Sequence, residues 1–493
     1  MPSPTPEVAD QILAHVTASR WFGGKGRRAT VVGVTPLPWL TPLPEYFDSS
    51  AGPAVRLEVV ELAYPDGPDA DEPSSGRPDE DLPDDDRDVV AASTPDGPLD
   101  QSPRELYQLA LAYRPAPHPD LQRAEIGRWT DADLGTVVVY DATQDPQSSA
   151  VLLRSLLAEE HLRAPDAELG FHLSAAQGLT ADLQPSVFRG QQSNTSVMFG
   201  DVAMLKLFRR LELGRNLDIE VHDALSRSGM ADVARLFGWA EASWSRTDPV
   251  TGDTGTVSAD LAMVVEKLAE ATDGWELALD VLRSGKSFAG QAQALGAALA
   301  ETHAALRTAF PTGRQPGADV AAVMRQRLAS ARTVAPQLDP YAEPLDRVFD
   351  ALAGAELDVQ RVHGDFHLGQ TLHTPGGWKI IDFEGEPAKT LAERSAPDSV
   401  WRDIAGMLRS FGYAAASVPG PDSEGWAAKC RQAFLAGYAG GELSEKDAAT
   451  LRAYEADKAI YEVVYEVRNR PEWIAIPIAA IADLAGSSKQ TKE

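Results

Sequence analysis

Cysteine is almost missing from this chain: Cys430 is the only one in 493 residues. An internal disulfide framework is therefore excluded, and the usage suits a reducing compartment. Long apolar runs are missing as well. The longest candidate, Trp473 to Ala482, is interrupted by Pro477, and nothing approaches the ~18–20 apolar residues that a membrane-spanning helix needs. Basic residues are in deficit: 45 Lys and Arg against 73 Asp and Glu leave a net charge of −28. A surface of that sign repels nucleic acid and anionic membranes, so neither is expected as a partner. The opening stretch MPSPTPEVADQ has no basic segment followed by an apolar core, so no secretory leader is expected and the chain reads as soluble and cytoplasmic.

The length allows about two to four domains with ample cores. Residues 5–19 predict a short amphipathic helix. The stretch Arg20-Trp21-Phe22-Gly23-Gly24-Lys25-Gly26 pairs glycines with a lysine. Its spacing is not that of a phosphate-binding loop and no apolar strand precedes it, so it is assigned no nucleotide role. Val55–Tyr64 and Glu105–Tyr113 read as strands of one hairpin, Gly135–Tyr140 as a further strand and Gln147–Leu162 as a helix. Between the first two strands, Asp66 to Asp88 hold 11 acidic residues against two arginines. Such a composition buries too little surface to offset its ordering entropy, so residues 65–102 are expected to be a disordered acidic insertion.

From Phe188 the pattern changes. A polar turn, Gly190 to Ser196, contains Ser193, Asn194 and Thr195. It leads through Val197-Met198-Phe199 into a second strand, Ala203 to Phe208, which carries Lys206 among apolar neighbours. Asn216 caps a helix opening with Asp218 and Glu220. Val233–Ala240 and Leu261–Val265 read as strands, the latter running into Glu266-Lys267-Leu268. Thr272-Asp273-Gly274-Trp275-Glu276 resembles a capping box, and the chain beyond it reads mainly helical, with one long helix over 288–309.

The densest chemistry lies in Arg361–Pro387, RVHGDFHLGQTLHTPGGWKIIDFEGEP. Asp365 and Asp382 stand 17 residues apart, the first in a polar loop, the second closing the apolar run Trp378–Ile381. Kinase-type phosphoryl transfer needs one Asp facing the attacking hydroxyl, and a second Asp with an amide side chain to hold Mg²⁺ on the ATP phosphates. Asp365 takes the first role, Gln370 and Asp382 the second. Lys206 is then placed to pair with the α- and β-phosphates, with Glu220 favoured as its partner and Asp218 as the alternative. Ser193, Asn194 and Thr195 would cover phosphates, and Glu266 and Leu268 would read the adenine through backbone groups. With so acidic a chain, that positive charge must be gathered locally. Asp403, soon after, suits a helix cap or, by resemblance to the protein-kinase-like superfamily, a brace for the catalytic loop. On the later helix, Tyr454, Lys458, Tyr461 and Tyr465 share a face, a pattern suited to a sugar or to plain aromatic packing.

These pieces, with RWFGGKG, LKLFRR, ATDGWELAL, RDIAGMLRSF and YEVVYEVRNRPEW, resemble the actinobacterial maltokinase family of the protein-kinase-like, aminoglycoside-phosphotransferase-like superfamily. Gln370 departs from the superfamily's usual Asn, and Glu384 from the Gly of Asp-Phe-Gly. The resemblance implies an α+β, bilobal protein-kinase-like fold. Residues 1–130 would be an N-terminal cap subdomain, 131–268 an intermediate subdomain and 269–493 a mostly helical C-terminal lobe, with nucleotide between the last two. It further implies ATP- and Mg²⁺-dependent phosphorylation of maltose at its anomeric hydroxyl, feeding α-glucan and glycogen synthesis, and in some members a trehalose-isomerising partner enzyme. His367, Glu384, Asp457, Lys458, Tyr461 and Glu462 would join Asp365 at the sugar. A glucosamine or aminoglycoside kinase on the same frame, a nucleotide-binding pseudokinase, and an interaction protein acting through the acidic insertion are the rival readings.

If the insertion is a solvated loop, deleting residues 65–102 leaves kinase turnover within about twofold. A comparison of kcat before and after deletion checks this.

Overall fold

The computed structural model describes residues 4–44, 46–48, 52–64, 103–188, 194–386, 389–418, 420 and 423–486. The acidic insertion 65–102 and the proposed phosphate-covering Ser193 lie outside them. The chain forms two compact units, Met1–Asp223 with Arg235–Lys267, and Ala224–Ala234 with Leu268–Glu493.

In the first unit, helix α1 (Pro6–Ala18) is followed by strands β1 (Thr30–Pro36), β2 (Ala54–Ala63), β3 (Arg104–Arg114), β4 (Glu125–Asp131) and β5 (Gly135–Asp141). They form an antiparallel sheet in the order β1-β2-β3-β5-β4. Ile12 and Val16 of α1 are buried in one apolar cluster that also holds Tyr107, Leu109 and Leu111 of β3. The glycine-rich stretch belongs to this packing. Trp21 and Phe22 lie 5.9 and 5.7 Å from the Tyr107 ring, and a Cβ on Gly24 would meet the Tyr64 hydroxyl at 2.6 Å.

Helix α2 (Pro146–Leu157) stops five residues short of the sequence-based expectation, because Glu159 takes a left-handed conformation (φ 48°) and turns the chain into β6 (His161–Ala164). Strands β7 (Ala167–Leu173), β8 (Pro185–Val187), β9 (Thr195–Phe199), β10 (Ala203–Leu207), β11 (Arg210–Leu211), helix α3 (Leu217–Arg227), β12 (Leu236–Thr247) and β13 (Thr254–Glu266) follow. A second sheet runs β6-β7-β12-β13-β10-β9-β8, while β11 pairs with β3 of the first. Lys206 thus sits on an inner strand, opposite Ser196 and Met263.

The second unit is mostly helical. Its elements are β14 (Thr272–Asp273), α4 (Gly274–Arg283), α5 (Ala289–Ala309), β15 (Gly313–Pro316), α6 (Gly317–Val334), α7 (Ala342–Asp350), β16 (Glu356–Val359), β17 (Thr371–Thr374), β18 (Gly377–Ile380), α8 (Leu391–Ser395), α9 (Trp401–Ser417), α10 (Ser423–Ala439), α11 (Glu445–Asn469) and α12 (Ala475–Gly486). Asp273 caps α4 by accepting from Glu276 N at 3.0 Å. Helix α9 is buried along most of its length, with Phe411 in an aromatic cluster with Phe288, Trp426 and Phe434. Among the described residues no helix is long and apolar enough to cross a membrane.

Helices α5 and α10 touch through glycines: a Cβ on Gly296 would lie 2.1 Å from Phe434 O, and one on Gly437 2.0 Å from Gln293 O. Gly437→Ala is expected to destabilise by about 2 kcal/mol through overpacking. Gly441, with open space around its α-carbon, is the control. Denaturant midpoints of the two alanine variants check this.

Candidate active site

The candidate catalytic loop, around Asp365, is built from the backbone outwards. Gly364 has φ 89°, a conformation glycine adopts at little cost, and its α-hydrogen side faces Gly385. This bend turns the N–H groups of His363 and Gly364 onto the carboxylate of Asp403, at 2.8 Å each. His303 of α5 donates to the same carboxylate from Nε2 at 2.8 Å, and the Tyr438 hydroxyl of α10 holds His303 Nδ1 at 2.8 Å. Burial by itself would raise the Asp403 carboxyl. The hydrogen bond and charge of His303, then His363 and Gly364 N, outweigh it and hold the group below its ordinary value. Asp403 is therefore a brace rather than a helix cap: it sits in the third position of α9 and is fully buried. Gly406, one turn on, lets α9 approach Phe366, whose carbonyl would be 2.5 Å from a Cβ there.

The loop is tied to the segment carrying the second aspartate. His363 Nε2 donates to Ile381 O at 2.9 Å, which puts the ring proton on that nitrogen, and the Phe383 ring lies 4.9 Å from the imidazole. The β17–β18 register, Thr371 opposite Ile380, continues outward: Ile381 N donates to Gln370 O at 3.1 Å. Gln370 and Asp382 consequently stand at the base of one hairpin. Asp382 has φ 65°, a costly conformation for a residue with a side chain. His367 caps the short turn before Gln370, accepting from Gly369 N at 3.1 Å.

Helix α11 reaches this loop through Lys458. Its ammonium donates to Asp365 Oδ1 at 3.0 Å and Glu386 Oε1 at 3.2 Å, and stands 4.9 Å from the Tyr461 ring centre. Burial would lower the lysine; Asp365 and Glu386, with Tyr461 and Glu462, reverse this and hold it well above its ordinary value. Glu386 is buried, and its other oxygen meets Lys389 at 2.6 Å. Burial would raise its carboxyl, but Lys458, Lys389 and Arg402 hold it well below the ordinary range. Three further acids of α11 have arginine partners of their own. Asp457 pairs with Arg327 at 2.6 Å, Glu462 with Arg409 at 2.7 Å and Glu466 with Arg470 at 2.9 Å.

In the first unit, Lys206 donates to Asp218 Oδ2 at 3.2 Å. Asp218, the alternative to Glu220, is thus a partner of the strand lysine; it is buried and also 3.0 Å from His222 Nδ1. Asn216 caps α3, accepting from Asp218 N at 2.9 Å. Thr195 Oγ1 accepts from Arg209 Nε at 2.7 Å, and Asn194 Oδ1 from Arg209 N at 3.4 Å. The N–H groups of Glu266 and Lys267 are used by Arg235 O and Val202 O, at 2.8 and 2.9 Å.

Comparison with known proteins matches residues 79–145 to the maltokinase N-terminal cap domain and residues 274–454 to the phosphotransferase enzyme family. A glucosamine kinase of Streptacidiphilus jiangxiensis is 31% identical over 369 residues, 66% of this chain and 80% of that one. The chain belongs to the phosphotransferase enzyme family. A second glucosamine kinase, from Mycolicibacterium smegmatis, is 26% identical over 61% of this chain and 79% of its own. A solved glucosamine kinase in complex with glucosamine, ADP and inorganic phosphate matches 98% of this chain and all of its own, with TM-score 0.58 at 21% identity. The α+β phosphotransferase fold, with an N-terminal cap and a helical C-terminal region, is as the sequence suggested, and the likeness to maltokinases rests on cap and phosphotransferase body together.

Within this family member the structure gathers Asp365, Lys458 and Glu386 directly, and Gln370 and Asp382 through their hairpin. Asp457 and Glu462, expected at the sugar, are paired with Arg327 and Arg409. Glu384 contributes its carbonyl to Arg394 at 2.9 Å. Glu386 was missed by sequence reasoning. Its only signal was a second acid after the Asp-Phe-Glu triplet, with no spacing rule linking it to a lysine 72 positions on.

Asp403→Ala strands a buried imidazole and two N–H groups, so a loss of about 3 kcal/mol or more is expected. The sign with pH follows from the depressed carboxyls of Asp403 and Glu386. Their stabilisation is complete above the unfolded carboxylate value, ~4, and is lost as pH falls through the lower folded values. Denaturant unfolding at neutral and acid pH should show the wild type losing stability on acidification and Asp403→Ala losing less.

Proposed function

We propose that the protein transfers the γ-phosphoryl group of ATP to the anomeric hydroxyl of maltose, giving maltose 1-phosphate for α-glucan synthesis. The observation carrying this reading is the Lys458 ammonium beside Asp365. A cation at the acceptor end repels an ammonium-bearing sugar and favours a neutral one, whose hydroxyls can accept from it. The acids of α11 paired with arginines support the same choice. Tyr461 beside the ammonium offers a ring for an apolar sugar face. The maltokinase cap match in the N-terminal part agrees.

The domain roles follow: residues 1–130 as cap, 131–268 as the nucleotide-side subdomain and 269–493 as the catalytic and acceptor lobe. Lys206, steadied by Asp218, supplies a cation for the α- and β-phosphates; Asn194 and Thr195 cover them, and the backbone of Glu266 and Leu268 reads the base. The acceptor hydroxyl donates to Asp365. Its oxygen forms a bond to the γ-phosphorus as the bond to ADP breaks, and its proton ends on Asp365. The anomeric hydroxyl suits this step, being more acidic than other sugar alcohols.

A carboxylate and an amide oxygen at one hairpin base are hard oxygen donors, so Asp382 and Gln370 fit Mg²⁺. When bound, the ion offsets charge on the β- and γ-phosphate oxygens.

Glucosamine is the second reading, favoured by the relatives named glucosamine kinases. Mg²⁺-dependent ADP release with maltose, glucose, glucosamine and an aminoglycoside, side by side, separates the two. Turnover with maltose is expected, falling at least about a hundredfold in Asp365→Asn. Turnover with glucosamine alone would overturn the acceptor, and turnover with none would overturn the kinase reading.

A further inference from the structure

Glu386 has no part in the roles assigned so far, yet both of its oxygens are taken by lysines and one of those lysines touches the proposed base. We infer that Glu386 is a positioning residue of the transfer step: it keeps the Lys458 ammonium paired while Asp365 is being neutralised by the acceptor proton. This rests on Asp365 accepting that proton, as in the function proposed above.

The geometry defines the problem that Glu386 solves. In the structure the Lys458 ammonium bridges two carboxylates, 3.0 Å from Asp365 and 3.2 Å from Glu386. When the acceptor oxygen bonds to the γ-phosphorus and its proton passes to Asp365, that carboxylate becomes a neutral acid. A lysine with Asp365 as its sole partner would lose its counter-charge at that moment, in a mostly buried place where an unpaired ammonium is costly. It would also oppose protonation beforehand, since an adjacent cation favours the charged carboxylate. Glu386 removes both difficulties. The ammonium keeps one full ion pair through the step and moves toward Glu386 as Asp365 fills its valence.

The surroundings keep Glu386 ready for this. Lys389 holds its second oxygen at 2.6 Å, which fixes the carboxylate plane without competing for the oxygen that faces Lys458. Arg402, tied to Asp398 and 3.7 Å from Asp457, adds positive charge nearby and keeps Glu386 ionised. The carboxylate therefore stays an acceptor throughout, and the proton released by the acceptor goes to Asp365 alone.

Two independent measurements test this. The first is steady-state kinetics, with the best acceptor sugar, of Glu386→Gln, Glu386→Asp and Lys389→Met, each with its thermal midpoint. Glu386→Gln should lower kcat at least about tenfold while the acceptor KM moves less than about threefold. Glu386→Asp should recover most of kcat. Lys389→Met loosens the Glu386 carboxylate but spares its hold on Lys458, so it should lower the thermal midpoint and lower kcat clearly less than Glu386→Gln does. A loss of kcat in Lys389→Met equal to that in Glu386→Gln, or no rescue by Asp, would reduce Glu386 to scaffolding and overturn the inference. The second measurement needs no turnover. Asp365→Asn mimics the neutral acid, so competitive acylation of Lys458, read by mass spectrometry, should stay suppressed in Asp365→Asn and rise in Asp365→Asn/Glu386→Gln. A reactive Lys458 in the single variant would show that Glu386 does not hold the cation. Absence of sugar turnover in the wild type would defeat the proposed function, and the labelling result would still decide the role of Glu386 as partner of Lys458.

Discussion

The carboxylate of Asp403 is the contact on which the second unit's chemistry depends. One buried anion accepts from two successive backbone N–H groups of the loop that carries Asp365 and from an imidazole of α5. Buried backbone donors must be satisfied, and a loop bent through Gly364 cannot satisfy these two with its own carbonyls. The anion therefore dictates the bend, and the bend dictates where Asp365 points. Helices α5, α9 and α10 converge on this one group through His303, Asp403 and Tyr438, which is why glycines are needed where α5 meets α10 and where α9 meets the loop.

A second layer of order comes from matching each buried charge to a fixed partner. Lys458 has Asp365 and Glu386, Asp457 has Arg327, Glu462 has Arg409, and Lys206 has Asp218. In a chain of net charge −28, cations are the scarce component. One of them, the Lys458 ammonium, is held in place by two carboxylates.

The part of the site that was legible in the sequence is the part written within one short stretch. Asp365, Gln370 and Asp382 lie within eighteen residues; an apolar run between turn residues sets Gln370 and Asp382 at the base of one hairpin by strand register, and Asp365 stands in the loop before it. What sequence reasoning could not reach depends on which flank of a helix a side chain leaves. Periodicity put Lys458 and Tyr461 on a common face, as found, but it could not show that the neighbouring Asp457 and Glu462 already belonged to arginines of α6 and α9. The choice between Asp218 and Glu220 was of the same kind, since both open one helix and only three-dimensional packing shows Asp218 at the lysine. For the fold, strand cores and long helices were readable from apolar pattern. The end of α2 was not, because a single left-handed glutamate decides it and glutamate carries no such signal.

The segment 224–234 is bracketed by sequence of the first unit, yet it belongs with the second. Asp232 O takes the N–H of Ile380 at 2.7 Å, Val233 bridges the same residue, and the Lys379 side chain reaches Ala231 O. These bonds cover the outer edge of the hairpin that presents Asp382. A fragment starting at Leu268 would contain every helix of the catalytic body and still expose a bare strand edge, an invitation to self-association. Recombination between relatives meets the same rule: a lobe can be exchanged with its hairpin intact only if this short eleven-residue piece, Ala224–Ala234, travels with it.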